Sequence, residues 1–177
     1  MENMAMVLRK EIPLHIHAHR SDDICTAIRI AKEYDIRIVI VHCTDGIEIA
    51  EYIAASGFPA IVGPSMNPCS KQEVWNKSFE TAGVLNRAGV KVCITADHDV
   101  TPLYYLPIYA AMAVRFGMDD AEALRAVTSY PAEILGIDDR KGALVSGKDA
   151  DLVIWSHHPF DIHAKAEHVF IEGKQEC

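Results

Sequence analysis

Four strand-like segments alternate with helical segments in the first half of the chain, and this alternation limits the fold more than any other feature. The clearest segment, residues 37–43 (RIVIVHC), is a β-branched run typical of a parallel strand that is buried on both faces. Weaker strands are predicted at residues 13–18, 60–62 and 91–96. Because parallel strands are joined by right-handed helical crossovers, the pattern predicts one α/β sheet.

Helix boundaries follow from capping residues and glycines. Ser21 is predicted to cap a helix that runs to about Tyr34, and Thr44 or Asp45 to cap a second one that Gly57 ends. Ser70 and Glu73 fit a capping box, which is predicted to start an interrupted helix that runs to Ala88. The later elements expected are helices at 106–116 and 120–128, a short helical piece after Pro131, and strands at 151–155 and 168–171.

Chain length bounds the architecture. The chain has 177 residues, which is enough for one domain with a core of its own. A complete (β/α)8 barrel needs about 250 residues, and this chain has about half the strands. The prediction is therefore a small open α/β sheet or half of such a barrel.

Composition excludes several classes of function. Seventeen basic and 25 acidic residues give a net charge of −8, which argues against binding to nucleic acid or to an anionic membrane. No apolar run is long enough to span a bilayer and no signal peptide opens the chain, so we expect a cytoplasmic protein. The five cysteines form no CxxC pair and are expected to be free thiols.

Histidine is the informative residue type, with nine in the chain. Strand alternation places His15, His17 and His19 on one face of the strand. This arrangement allows two interpretations, a metal site or a polar stripe that faces solvent. His42, at the end of the second strand, can ligate a metal or simply bond a loop carbonyl. Asp97, at the end of the fourth, can ligate or cap a turn. The four histidines near the end of the chain look like a second cluster and are predicted to be exposed: His157, His158, His163 and His168.

Three of these residues share one location. His17, His42 and Asp97 lie at the carboxyl ends of predicted parallel strands, where α/β proteins bind their ligands. Imidazole and carboxylate groups suit Zn²⁺ or a similar divalent ion. Such an ion makes bound water acidic enough for a carboxylate to take its proton, so the residues predict metal-assisted hydrolysis.

The same residues resemble a known family. The motif HAHR at 17–20, the strand-end His42 and Asp97 within TADH look like signatures of the amidohydrolase superfamily, close to its imidazolonepropionase-like branch. The tail at 130–155 (YPAEILGIDDRKGALVSGKDADLVIW) resembles the family pattern NPAxxLGxxxxxGxLxxGxDADLVxxx, with Tyr130 in place of the usual Asn. The resemblance covers nearly the whole chain.

The resemblance implies a site and an architecture. His17 and His42 would be metal ligands, Asp97 both a ligand and the general base, and His19 and His98 would line the substrate pocket. The ion would be Zn²⁺, as one or two ions, and the substrate a cyclic amide or dipeptide-like small molecule. Residues 1–136 would be strands five to eight of a (β/α)8 barrel, and 137–177 part of a small β-sandwich.

The sequence lacks two parts of the family pattern, and their absence changes what activity we expect. The HxH pair of the family's first strand and the lysine of its fourth strand have no counterpart in this sequence. We therefore expect a C-terminal half that is inactive or weak alone and that forms a homo-oligomer or pairs with a missing N-terminal half. The alternatives are a catalytically inactive remnant, an assembly chain, and a free-standing α/β binding module.

Overall fold

A four-stranded parallel sheet forms the centre of the computed structural model, which describes residues 2–176. Its strands lie in the order of the sequence: β1 (Leu14–Ala18), β2 (Ile38–His42), β3 (Ala60–Val62) and β4 (Val92–Ile94). In the register, Ala18 lies opposite His42, His42 opposite Val62, and Val62 opposite Ile94. The carboxyl ends of the four strands are therefore level with one another at one end of the sheet.

Helices connect and cover the strands. They are α1 (Glu2–Leu8), α2 (Ser21–Glu33), α3 (Ala50–Ser56), α4 (Thr81–Arg87), α5 (Leu106–Arg115), α6 (Asp120–Ala126) and α7 (Ser129–Leu135). Short 3-10 turns occupy Thr44–Ile49, Gln72–Val74 and Leu103–Tyr105. The predicted α/β class with parallel pairing is confirmed.

The core lies between this sheet and its helices. All five residues of β2 are buried, as the β-branched run predicts for a strand covered on both faces. Helix α2 packs on β1 and β2 through an apolar stripe at helical spacing, which consists of Ile24, Ala27, Ile28 and Ala31. Gly57 ends α3 in the left-handed conformation, as predicted.

A second sheet lies near the end of the chain. Strands β5 (Leu152–Trp155), β6 (Ala166–Ile171) and β7 (Lys174–Gln175) form an antiparallel sheet of three strands. The strands predicted at 151–155 and 168–171 are confirmed, whereas the two-residue β7 was not predicted. None of the described residues after Ala132 is buried.

Three capping predictions are wrong. Helix α2 begins at Ser21 itself, with Arg20 at its N-cap and no capping bond from a side chain. The segment after β2 starts as a 3-10 turn without a side-chain cap, because the Asp45 carboxylate accepts the Ser21 N–H instead, at 3.3 Å.

The capping box of Ser70 and Glu73 does not form either. Glu73 pairs with Lys71 and lies 3.9 Å from the His19 ring nitrogen, so it is not available to cap a helix. A 3-10 turn follows at Gln72–Val74, and regular helix begins only at Thr81.

Cys25, Cys43, Cys69 and Cys93 are free, as predicted; Cys177 lies outside the described residues. No helix in the described part of the chain has both the length and the apolar character needed to cross a membrane.

Candidate functional site

A pocket of about 230 Å³ opens at the carboxyl ends of the parallel strands. His19, His42 and Asp97 contribute to its wall, so the structure brings together three of the residues that the sequence singled out. The rest of the wall comes mainly from the long segment between β3 and α4. The pocket therefore lies where parallel α/β proteins bind ligands.

The rings of His17 and His42 meet beside this pocket. His42 Nε2 lies 2.9 Å from His17 Nδ1, and the two rings are nearly perpendicular, with centroids 4.6 Å apart. Parallel pairing of β1 and β2 brings them together, because His17 lies one residue before the partner of His42 in the register. His42 is buried and has a φ of +74°, so the chain turns sharply as β2 ends.

The hydrogen bonds of His42 determine its tautomer. Its Nδ1 lies 2.8 Å from the Gly63 carbonyl oxygen, which can only accept, so Nδ1 donates and carries the proton. The neutral ring then presents the lone pair of Nε2 toward His17. Orientation by a backbone carbonyl is how proteins commonly fix a metal-binding imidazole, so the carbonyl bond and the ligand role foreseen for His42 are compatible.

His19 supports His42 from the other side. The two rings stack with centroids 4.5 Å apart and planes 6° from parallel, and His19 Nδ1 lies 2.8 Å from Thr44 Oγ1. Burial, followed by the neighbouring charges of His42 and Lys71, lowers the pKa of His19 to about 4. His19 is therefore neutral at pH 7, and it lines this cavity.

Asp97 follows β4 in a tight turn. It has a φ of +51°, its N–H donates to Thr95 Oγ1 at 3.0 Å, and its carbonyl accepts the Val100 N–H at 2.7 Å. The turn leaves Asp97 on the pocket wall and His98 exposed to solvent. His98 is not among the residues that line this cavity, because the turn carries it outward, and its predicted place at the substrate stays a prediction.

The donor chemistry of His17 and His42 fits a divalent ion as a pair. Their ring nitrogens lie 2.9 Å apart, and imidazole nitrogens are among the ligands that Zn²⁺ prefers, so the two residues would hold such an ion together. Across residues 2–176, no group of three or more His, Cys, Asp or Glu side chains is placed to hold a metal. Asp97 shares the pocket with His42 but does not complete such a group.

Sequence analysis did not identify several pocket residues on the segment between β3 and α4 and at the first residue of α4. Lys71, Lys77, Ser78 and Thr81 all line the pocket. The prolines and Asn67 in this segment predicted only a loop, and no spacing rule distinguishes a lysine that faces a pocket from one that faces solvent. His158 and His163 have largely exposed side chains, as predicted for the histidines near the end of the chain.

Comparisons with known proteins place similar sequences along nearly the whole chain. Residues 9–175 match the model of a family described as the amidohydrolase family. An imidazolonepropionase from Brucella suis is 30% identical over 166 residues, which cover 92% of this chain and 38% of that protein.

Solved structures agree as well. A crystal structure of an amidohydrolase from Thermotoga maritima is 43% identical with a TM-score of 0.95, and the match covers 99% of this chain and 46% of that one. An adenosine deaminase from Xanthomonas campestris with bound zinc is 25% identical with a TM-score of 0.70, over 98% of this chain and 47% of that one. This chain thus spans less than half the length of each of these three proteins.

Proposed function

The chain belongs to the amidohydrolase family, and from this premise we propose that it serves the metal-dependent hydrolysis of a cyclic amide or peptide-like C–N bond. The observation that carries the proposal is the orientation of His42. A buried ring that donates from Nδ1 to Gly63 and directs the Nε2 lone pair toward His17 is arranged as a metal ligand. The pocket beside it carries Asp97, a carboxylate suited to proton transfer.

The residues have distinct roles in this proposal. His17 and His42 would hold a divalent ion, for which Zn²⁺ is the first candidate, and such an ion would supply Lewis-acid chemistry beside Asp97. Asp97 accepts a proton from the attacking water and returns one to the leaving nitrogen, and its second role as a ligand stays a proposal. The neutral His19 ring, stacked on His42, holds that ligand in place.

We further propose that residues 1–136 form strands five to eight of a (β/α)8 barrel and that 137–177 form part of a β-sandwich. Two features support this. Within residues 2–176, β1 and β4 each pair on one side only, which leaves two open sheet edges. Apolar side chains are exposed in the helix before β1 and in the segment after β4, among them Met4, Leu8, Val100 and Leu103.

Closure of the barrel requires more polypeptide. It would come from further polypeptide that carries the other (β/α) units or from a second copy of this chain. The incomplete ligand group around His17 and His42 fits the same proposal, since the added units would bring the remaining ligands. Light scattering at increasing protein concentration tests self-association, and a strictly monomeric chain would exclude the second copy as the source.

Metal binding tests the site directly. We expect the purified chain to bind one equivalent of Zn²⁺ per site and His17→Ala or His42→Ala to weaken binding at least tenfold. His163→Ala removes an exposed histidine and is the matched control. If Zn²⁺ binds equally well to His17→Ala and to the parent, or to neither, the metal assignment is wrong.

Catalysis is tested separately with a panel of cyclic amides and dipeptides in the presence of Zn²⁺. Where turnover is found, Asp97→Asn should lower kcat by a factor of about 10² to 10⁴, as expected for loss of a proton acceptor, while Zn²⁺ still binds. If the chain binds zinc but shows no turnover, either by itself or with the polypeptide that closes the barrel, it is an inactive member of the family.

A further inference from the structure

We propose that Asp45 is a positioning residue for the pocket. Through one hydrogen bond to Asn76 it holds residues 67–77, here called the pocket loop, in place as a wall of the pocket, so this bond controls how readily small molecules reach the cavity. The inference rests on the proposed function, because it concerns access to the same pocket. Asp45 is neither a metal ligand nor a proton acceptor in this proposal.

The side chain of Asp45 joins two distant segments. Asp45 is 9% exposed and forms no ion pair with any described lysine, arginine or histidine. A buried carboxylate is costly unless it is hydrogen-bonded, so its two donors determine where it lies. Oδ2 accepts the Ser21 N–H at 3.3 Å, and Oδ1 accepts from Asn76 Nδ2 at 3.0 Å. One side chain thus links the start of α2 to the pocket loop.

The backbone around Asp45 fixes a second wall of the pocket. The Asp45 N–H donates to the His19 carbonyl at 2.8 Å, and Oγ1 of the preceding Thr44 lies 2.8 Å from His19 Nδ1. Together with the bond to Ser21, these contacts hold the turn that follows β1. Asp45 therefore ties the pocket loop and His19 to the same point of the fold.

The pocket loop is closed on itself by Lys77. Its Nζ donates to the Asn67 carbonyl at 3.0 Å, to Asn67 Oδ1 at 2.7 Å and to the Pro68 carbonyl at 3.2 Å. These bonds bring the two ends of the loop together, as in a compact Ω-loop. Because its ends are joined, the loop is expected to move as one unit when its attachment to the rest of the chain changes.

That attachment depends on very few contacts. Across residues 2–176, the bond from Asn76 to Asp45 is the one hydrogen bond that joins the pocket loop to a residue outside it. Val74 adds a buried apolar contact, and Glu73 approaches His19 Nε2 at 3.9 Å. The loop nevertheless contributes a large part of the pocket wall, namely Asn67, Ser70, Lys71, Val74 and Lys77. Loss of a single bond should therefore open the pocket while the core stays folded.

Exchange of the two side chains tests the bond. Asp45→Asn leaves one amide oxygen to serve two donors, and Asn76→Asp sets two carboxylates against each other. The double variant exchanges donor and acceptor. Its amide at position 45 can accept the Ser21 N–H and donate to the new carboxylate at position 76, so the bond is restored. A role that required the carboxylate itself at position 45 would not be rescued in this way.

Opening is measured at a buried position in the pocket wall. Thr81 lines the pocket, is 1% exposed and has an unbonded hydroxyl group, so Thr81→Cys sacrifices no hydrogen bond. Iodoacetamide labelling at this position is followed by peptide mass spectrometry, with the exposed Cys69 as the internal reference. In this background, Asp45→Asn and Asn76→Asp should each raise the relative labelling rate about tenfold, as expected for loss of a hydrogen bond to a charged group. The double variant should return it to within about twofold of the parent.

Glu122→Gln is the matched control. Glu122 Oε2 accepts from Asn86 Nδ2 at 3.0 Å, which is the same type of bond between residues that do not line the pocket. This variant should leave the labelling rate unchanged even where it lowers the unfolding midpoint. Hydrogen exchange of residues 67–77, measured without Thr81→Cys, gives a second readout that does not depend on the added thiol.

Two results would overturn the proposal. One is equal labelling and equal hydrogen exchange in the parent and both single variants, and the other is a double variant that opens as readily as the single ones. Neither measurement needs turnover, so restored closure with no hydrolysis of any amide contradicts the proposed function only. Where turnover is found, the single variants should raise KM more than they lower kcat, and an unchanged KM in both contradicts this inference only.

Discussion

The two sheets of this chain are both held by hydrogen-bonded strand pairs but differ greatly in burial. In the parallel sheet, every residue of β2 is buried and helices cover the strands. In the antiparallel sheet, no residue of β5, β6 or β7 is buried. Hydrogen-bonded pairing alone therefore does not make a core, because the sheet must also place an apolar face against another layer.

The difference indicates where each region gets its stability. The parallel sheet provides its own apolar core, whereas β5 to β7 contact the rest of the described chain mainly through loops. Phe160 packs against the main core, and His158 Nε2 lies 3.4 Å from an Asp120 carboxylate oxygen. The antiparallel sheet is thus expected to contribute little to the free energy of unfolding until further strands cover it.

Truncation of a core residue should have the largest effect on this comparison. Ile40 lies in the centre of β2 and is fully buried, so Ile40→Ala removes apolar contacts and leaves a cavity. We expect a loss of about 4 kcal/mol in the free energy of unfolding, within the range measured for such substitutions. Urea denaturation followed by circular dichroism measures it.

Ile162→Ala is the counterpart in the second region. Ile162 is 83% exposed, so its truncation should change the free energy of unfolding by less than about 0.5 kcal/mol. Similar losses in both variants would mean that the second region has a core equivalent to the first, and would contradict the comparison.

Two glycines with positive φ allow a second contrast. A Cβ at Gly63, with φ of +123°, would lie 2.3 Å from the Thr95 carbonyl oxygen, whereas a Cβ at Gly173, with φ of +77°, would meet no atom closer than 3.8 Å. Gly63→Ala should therefore cost about 3 kcal/mol from strain and displaced backbone, and Gly173→Ala about 1 kcal/mol from strain alone.

Thermal unfolding of both variants measures these losses. The Gly63 carbonyl also orients His42, so Gly63→Ala should weaken Zn²⁺ binding, which Gly173→Ala should not. A Gly63→Ala protein as stable as Gly173→Ala would show that the backbone beside the pocket can yield, and that the site is less rigid than described.

Histidine titration gives a third contrast, smaller than the first two. The pKa of His19 is lowered to about 4 in the folded chain, while the unfolded residue takes up its proton near pH 6.5. Between these values the unfolded state binds more protons than the folded state. The contribution of His19 to the free energy of unfolding is therefore complete above about pH 6.5 and is lost as the pH falls toward 4. With allowance for partial exposure, we expect a loss of about 1 kcal/mol between pH 7 and 5.

Urea denaturation with EDTA present measures this dependence. His19→Gln should remove it, whereas His163→Gln, which changes a side chain that is 81% exposed, should leave it unchanged. An unaltered pH dependence in His19→Gln would mean that His19 titrates normally and is not buried against His42.

The parallel sheet could be predicted from the sequence because buried strands and helices have a recognisable local pattern of apolar residues. A β-branched run such as 37–43 and a helical apolar stripe such as that of α2 depend only on neighbours along the chain. The meeting of His17 and His42 was also predictable, since the carboxyl ends of adjacent parallel strands are level.

What the sequence did not reveal depends on contacts between distant segments. The pairing of Glu73 with Lys71 and its approach to His19 abolished a well-formed capping motif, and a tight turn moved His98 away from the pocket. The position of Lys77 in the pocket wall depends on the path of a long loop. These contacts and loop paths are determined by tertiary packing, so they cannot be predicted from local periodicity in the sequence.

The smallest effect in this series concerns a cap that does form. Asp119 Oδ1 accepts the N–H groups of Ala121 and Glu122 at 3.0 and 3.1 Å at the start of α6, which packs on β4. Asp119→Ala should lower the free energy of unfolding by about 1 kcal/mol. Asp161 makes a similar local bond to the His163 N–H in the second region, at 2.8 Å. Because no core depends on that turn, Asp161→Ala should cost less than about 0.5 kcal/mol, and equal losses in urea denaturation would show that both regions unfold as one unit.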